Sequence, residues 1–247
     1  MATLLKPLEN IDDVNTLFID SIRILRENNI NYWVSHGTLL GIIRENRILP
    51  WDHDLDFSVW DHEVDQKTIV DLFEASGYKQ EVVYGEMDCL HFVGGYKKID
   101  ISFYKVYKNI ASVKWIIPSG NKLKQICQFI LRMWSHNAEK LPIVEKYHLI
   151  KYLLYLFIKS VKYLMPNKFK RHINNNVANY MKKCYDYGGY SYPKSLLDNL
   201  GTIEFLGEKI LVPSDSEKYL EYTYGKDWNI PKKDYIWHEE ASNLIKL

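Results

Sequence analysis

The sequence predicts an α+β protein with a helical insertion, on three observations. Ile11, Val14, Phe18, Ile22 and Leu25 recur at three- and four-residue spacing, the period of an amphipathic helix. Leu55, Phe57 and Val59, and again Ile99, Ile101 and Phe103, alternate with polar residues, the period of strands with one buried face. From about Ser119 to Tyr187 the composition shifts to Lys, Asn, Tyr and long aliphatics, so the chain reads as a core (1–118), a helical insertion (119–187) and a C-terminal part (188–247) that completes the core.

Taken in order, Asn10 caps the first helix, with Asp12 and Asp13 in its first turn and Arg23 and Arg26 near its end, where they complement the helix dipole. Ile30 to Val34 is a short strand leading to a turn of small residues, Ser35-His36-Gly37-Thr38, and a helical stretch from Leu39 to Arg44. A strand bearing Asp54 and Asp56 follows. Asp61 caps a helix through Glu74, which Gly77 ends in the left-handed conformation. Strands are expected at Gln80 to Tyr84, Leu90 to Val93 and Tyr96 to Val106.

Within the insertion, Pro142 opens a helix running to Met165 and closed by Pro166. Lys151, Tyr155, Lys159 and Lys162 share one narrow stripe, and most of the remaining circumference is apolar. The first reading of that shape is a helix buried against the rest of the protein or a second copy, and the second is peripheral membrane contact through 142–165. FLGEKILVP then reads as a hairpin, followed by a helix with Ser214 or Asp215 near its cap and an irregular Gly- and Pro-containing turn.

At 247 residues, with 47% hydrophobic and 26% charged content, the chain is long enough for a well-buried core. A formal charge of +1 speaks against general nucleic-acid binding. Cys89, Cys127 and Cys184 are odd in number and in no CxxC spacing, which favours reduced thiols and a cytoplasmic setting. The opening MATLLKPLENIDD meets acids before any apolar run long enough for a signal peptide, so secretion by that route is not expected.

The chemistry centres on Asp54 and Asp56. Alternate residues of a strand point the same way, and two carboxylates aimed at one spot repel unless a divalent metal sits between them. Asp100, alternating against Ile99 and Ile101, is a candidate third acid on a neighbouring strand. The turn at Gly37 and Thr38 can offer backbone N–H groups to a phosphate. Arg44 can grip phosphate oxygens in a two-pronged way or pair with Glu45. Asp52 supports the loop or touches the metal, and His36, His53 and His91 lie near the proposed centre without an assignable role. Trp51 reads as a packing anchor.

The run GTLLGIIRENRILPWDHDLDF, Gly37 to Phe57, closely resembles the signature of the LicD family, which includes bacterial phosphocholine transferases and the catalytic domains of fukutin and fukutin-related protein. FLGEKILVP and YGKDWNIP resemble the family's closing motifs, so the resemblance brackets nearly the whole chain except the insertion. It implies a nucleotidyltransferase-like mixed β-sheet flanked by helices and a carboxylate triad, here Asp54, Asp56 and Asp100, binding Mg2+ or Mn2+. It also implies transfer of a phosphorylated alcohol, such as phosphocholine or a polyol phosphate, from a CDP-linked donor to a glycan or glycolipid, as in cell-surface polysaccharide or lipopolysaccharide modification. Arg44 matches the arginine between the Gly-Thr turn and the acids. Many bacterial members carry three consecutive aspartates where this chain has Asp52-His53-Asp54, a departure that bears on donor or acceptor and not on catalysis. Two other readings stay open: a nucleotidyltransferase moving NMP from an NTP to a small molecule, protein or RNA, and a non-catalytic adaptor for glycan assembly.

Overall fold

The computed structural model describes residues 11–81, 88–94, 97–117, 119–125, 148–166, 168–169, 186–232 and 235–246. Two compact units divide the chain, one of residues 1–115 with 188–247 and the other of 116–187.

In the larger unit, helix α1 (Ile11–Glu27) buries Val14, Phe18, Ile22 and Leu25 as its spacing predicts, with Leu17 beside them, while Ile11 at its first position is 70% exposed. Strand β1 (Tyr32–Val34) leads into α2 (His36–Glu45). The helix therefore starts one turn earlier than the sequence suggests, and His36, Gly37 and Thr38 form its first turn. The cause is His36, which takes up φ +45, a conformation rare for non-glycine residues and invisible to propensity. Asn46 closes the helix at φ 50, in the left-handed region that asparagine tolerates.

β2 (Asp54–Trp60) is followed by α3 (Gln66–Ala75), β3 (Lys79–Gln80), β4 (Cys89–Gly94), β5 (Lys97–Tyr107) and β6 (Ile110–Ile117). The α3 cap is Asp65, whose side chain accepts from the Thr68 N–H; Asp61, expected there, lies in the turn after β2. Gly77 follows α3 at φ +90, as its position predicts. The strand expected at Gln80 to Tyr84 is seen as Lys79–Gln80 and has ended by Glu81, while residues 82–84 lie outside the described residues. After α4 (His148–Leu164) come β7 (Asp186–Pro193), β8 (Leu200–Phe205), β9 (Glu208–Pro213), α5 (Ser216–Tyr224), α6 (Trp237–Glu240) and β10 (Leu244–Lys246). The FLGEKILVP hairpin is the antiparallel pair β8–β9, and Asp215 caps α5 by accepting from Lys218 N–H. Residues 142–147 at the start of the expected long helix, residue Asn10, the cysteines Cys127 and Cys184, and the side chains of Lys151, Tyr155 and Lys162 lie outside the described residues.

The sheet runs β1-β2-β5-β6-β7-β10, with β4 also on β5 and β3 on β4. It is mixed: β2 and β5 are parallel, while β1, β4 and β6 join antiparallel. Its apolar face carries Leu55, Phe57, Val59, Leu90, Phe92, Ile99, Ile101 and Phe103, all buried. Phe57 stacks on Phe18 of α1 with ring centroids 5.6 Å apart, and Phe92 on Phe73 of α3 at 4.6 Å. These two helices close that face.

The opposite face is graded along the strands. On β2 the alternate residues read Asp54, Asp56, Ser58, Trp60, and on β5 they read Lys98, Asp100, Ser102, Tyr104, each opposite its counterpart in the parallel register. Asp56 thus lies beside Asp100, which lies beside His91 of β4. One step along, Ser58 donates or accepts at 2.8 Å with Ser35, and Ser102 lies 3.7 Å from Cys89 Sγ. One step further, Trp60 and Tyr104 pack on Trp33 at 5.1 and 5.3 Å between centroids. Acids, then small hydroxyls, then aromatic rings succeed one another, so one end of this face is polar and the other is a second core.

Phe57 is fully buried between α1 and β1, so Phe57→Ala should cost about 3–5 kcal/mol in urea unfolding. A loss below about 1 kcal/mol would contradict this placement of the core.

Candidate active site

The site is built on the acidic end of that graded face. Oxygens of Asp52, Asp54 and Asp56 lie within 4.8 Å of one another. Asp54 and Asp56 come together because they alternate on β2, and Asp52 joins them from the loop before it. Asp100 shares their face through the register Asp56↔Asp100. Its Oδ1 lies 2.8 Å from Nδ1 of His91 across the β4–β5 ladder. Asp100 is therefore held by a histidine on its far side, an interaction absent from the sequence reading.

Asp56 is tied to the start of α2 by a reciprocal pair. Thr38 N–H and hydroxyl reach Asp56 Oδ2 at 3.3 and 3.4 Å, and Asp56 N–H donates to Thr38 Oγ1 at 2.7 Å. The carboxylate sits where the helix dipole and unpaired N–H groups favour negative charge. Gly37 makes this approach feasible: a Cβ there would lie 2.1 Å from Asp52 Oδ2 and 3.4 Å from Asp56 Oδ2. In this structure Gly37 and Thr38 thus space and hold the acids, and the Thr38 donors expected for a phosphate are engaged by Asp56.

Arg44 lies in the last turn of α2 with its side chain largely buried and its Nε and Nη2 on Glu45 Oε1 at 3.1 and 2.6 Å. Arg47 takes the other oxygen of Glu45 at 2.6 Å. Trp51 is 53% exposed, with Arg47 5.8 Å over its ring, so it is not the packing anchor its residue type suggests. His53 is exposed. His36 is buried beside Tyr104 and Tyr219, whose hydroxyls lie 3.3 Å from Nε2 and 3.2 Å from Nδ1. Burial pushes its imidazole down to about 3, so it is a neutral link joining α2, β5 and α5.

Lys97 is the other residue that sequence reasoning passed over. It is buried at the start of β5, and its ammonium donates to the carbonyls of Leu49, at 3.2 Å, and of Asp52. Those two bonds pin the loop that delivers Asp52. A signal was present, since Lys97 occupies the inward period of Ile99, Ile101 and Phe103, where an unpaired lysine has no place.

The electrostatics are those of acids crowded in a poorly solvated place. Burial, then repulsion from Asp54, drives the Asp52 carboxyl up to about 8. Burial first, then Asp54, Asp52 and Asp100, pushes Asp56 well above the carboxylate range, against the Thr38 bond. Burial also raises Asp100, although the His91 bond works the other way. A close set of hard oxygen donors of like charge fits a divalent cation such as Mg2+ or Mn2+.

Trp115, Tyr190 and Trp237 contact one another edge-to-face at centroid distances of 5.1, 5.5 and 5.9 Å, so they fill the space between them.

Residues 29–116 match the LicD/FKTN/FKRP nucleotidyltransferase domain. An uncharacterized protein of Rickettsia prowazekii is 41% identical over 63 residues, which are 25% of this chain and 24% of that protein. Ribitol-5-phosphate transferase FKTN of Macaca fascicularis is 23% identical over 226 residues, covering 90% of this chain and 34% of that protein. The chain therefore spans about a quarter to a third of the length of these two relatives. Lipopolysaccharide cholinephosphotransferase LicD of Haemophilus influenzae is 25% identical over 230 residues, covering 83% of this chain and 84% of that protein. The segment 29–116, which holds all four crowded aspartates, thus matches the LicD/FKTN/FKRP nucleotidyltransferase domain, the resemblance that the run from Gly37 to Phe57 carries.

Proposed function

We propose that this chain is a metal-dependent phosphotransferase that moves a phosphorylated alcohol, phosphocholine or a polyol phosphate, from a CDP-linked donor to a glycan hydroxyl. The observation that carries the proposal is the convergence of Asp52, Asp54 and Asp56 on one spot, with Asp100 in register beside Asp56. The relatives named as ribitol-5-phosphate and choline-phosphate transferases support the choice of reaction over other chemistry on the same acids.

Asp54, Asp56 and Asp100 would hold the cation, with Asp52 at its edge. Bound there, Mg2+ or Mn2+ supplies charge neutralisation at the donor diphosphate and acidifies the acceptor hydroxyl. The acceptor oxygen forms a bond to the phosphorus carrying the alcohol, the bridging P–O bond breaks, and CMP leaves with that electron pair. The hydroxyl proton passes to a carboxylate. Asp100 suits that role, because burial raises its proton affinity while His91 keeps one of its oxygens fixed. Thr38 holds Asp56 in place, and Lys97 holds the Asp52 loop. A donor phosphate gripped by Gly37, Thr38 and Arg44 would exchange for the partners Asp56 and Glu45 that these groups now have.

Incubation with Mn2+ or Mg2+, a glycan acceptor and a panel of CDP-alcohols and NTPs tests the reaction. CMP should be released from a CDP-alcohol, and Asp54→Asn and Asp56→Asn should each lower kcat by about a hundredfold or more. Pyrophosphate from an NTP, with no CMP from any CDP-alcohol, would favour NMP transfer and contradict the proposal. Unchanged rates in both variants would point to a non-catalytic role.

A second prediction concerns pH. Asp52 titrates near 3.8 when unfolded and at about 8 when folded, so without metal the folded state binds the extra proton. This contribution to stability is full below the unfolded value and lost as pH rises through the folded one. In EDTA, Tm should fall between about pH 5 and about pH 8, and Mn2+ should raise Tm more at the higher pH. A Tm that rises over this window and ignores Mn2+ would contradict the reading.

A further inference from the structure

We propose that Cys89, His91 and Asp100 form a second cation site, one for Zn2+ or a transition metal of similar softness, beside the aspartate set and sharing Asp100 with it. Cys89 and His91 alternate on β4 and so point to the same side of the sheet. The antiparallel register sets Asp100 of β5 opposite His91, and Ser102 opposite Cys89. The sulfur, one ring nitrogen and one carboxylate oxygen lie within 4.8 Å of one another, the same distance that gathers Asp52, Asp54 and Asp56. Ligands bound to zinc at about 2.0–2.3 Å in a tetrahedron stand about 3.5 Å apart, so small side-chain rotations close the three on one ion.

The donor types choose the metal. Mg2+ takes oxygen ligands, whereas a thiolate, an imidazole and a carboxylate are the three ligand types of protein zinc sites. Three protein ligands leave a fourth position to water, the pattern of an open zinc site. The surroundings suit such an ion. Cys89 is buried, while the side chains of His91 and Asp100 keep 14% and 17% exposure, enough to admit a cation from solvent. The Ser102 hydroxyl donates to Cys89 Sγ at 3.7 Å, a bond that a metal-bound thiolate accepts more strongly than a thiol does. His91 and Asp100 already meet at 2.8 Å, so the nitrogen and oxygen ligands are held together before any metal arrives. Asp100 belongs to both sets, and a metal on Cys89 and His91 therefore competes for it with the cation assigned to Asp54 and Asp56; only this consequence rests on the proposed reaction.

Absorption titration of the full-length protein, stripped with EDTA and supplied with Co2+ as a coloured substitute for Zn2+, tests the site without donor, acceptor or turnover, so its failure and that of the proposed reaction are told apart. Co2+ should produce the near-ultraviolet charge-transfer band of a cobalt–thiolate bond, and Zn2+ should displace it. The band should vanish in Cys89→Ser. It should survive in a Cys127→Ser, Cys184→Ser variant, and in Asp54→Asn, which removes a ligand of the aspartate set alone. Zn2+ affinity, measured against a competing chelator, should fall by about tenfold or more in Cys89→Ser and in His91→Gln. The proposal is overturned if the wild type binds Co2+ with no thiolate band, if the band persists in Cys89→Ser or is lost with the other two cysteines, or if His91→Gln binds Zn2+ as wild type.

Discussion

Mutual repulsion among four aspartates is the constraint around which this fold is arranged. Asp52, Asp54, Asp56 and Asp100 are brought together at the polar end of one face of a sheet, and burial and like charge raise the proton affinity of Asp52, Asp56 and Asp100. The neighbouring donors are distributed so that the set stays in place. Thr38 and the start of α2 hold Asp56, His91 holds Asp100, and Lys97 holds the backbone that carries Asp52.

The rest of the sheet explains how such a set can be tolerated. Behind the acids lies a fully apolar layer of Phe57, Ile99, Ile101 and Phe92 against α1 and α3, whose burial is the main source of stability. Along the same face the acids give way to Ser58, Ser102 and Ser35, and then to Trp60, Tyr104 and Trp33. The neutral His36, bound between Tyr104 and Tyr219, fixes the left-handed start of α2 that brings Gly37 and Thr38 to the acids.

Much of this was legible in the residues. The alternation of Asp54 and Asp56 against Leu55 and Phe57, and of Asp100 against Ile99 and Ile101, states which side chains share a face, and the run from Gly37 to Phe57 points to the LicD domain. What was hidden depends on contacts distant in sequence or on rare backbone. The pairing of His91 with Asp100 follows from an antiparallel register that alternation alone cannot fix. The early start of α2 depends on a histidine at positive φ, and the α3 cap moved from Asp61 to Asp65 because both precede plausible helical turns. Lys97 was overlooked although its place in an apolar period marks it as a buried lysine with partners.

The central claim is that these aspartates await a divalent cation that also meets the donor diphosphate. Calorimetric titration of the full-length protein with Mn2+, alone and with CDP, tests it most directly. The account predicts Mn2+ uptake that CDP tightens and that Asp54→Asn abolishes. No Mn2+ uptake in either condition, with CDP bound equally well in EDTA, would contradict it.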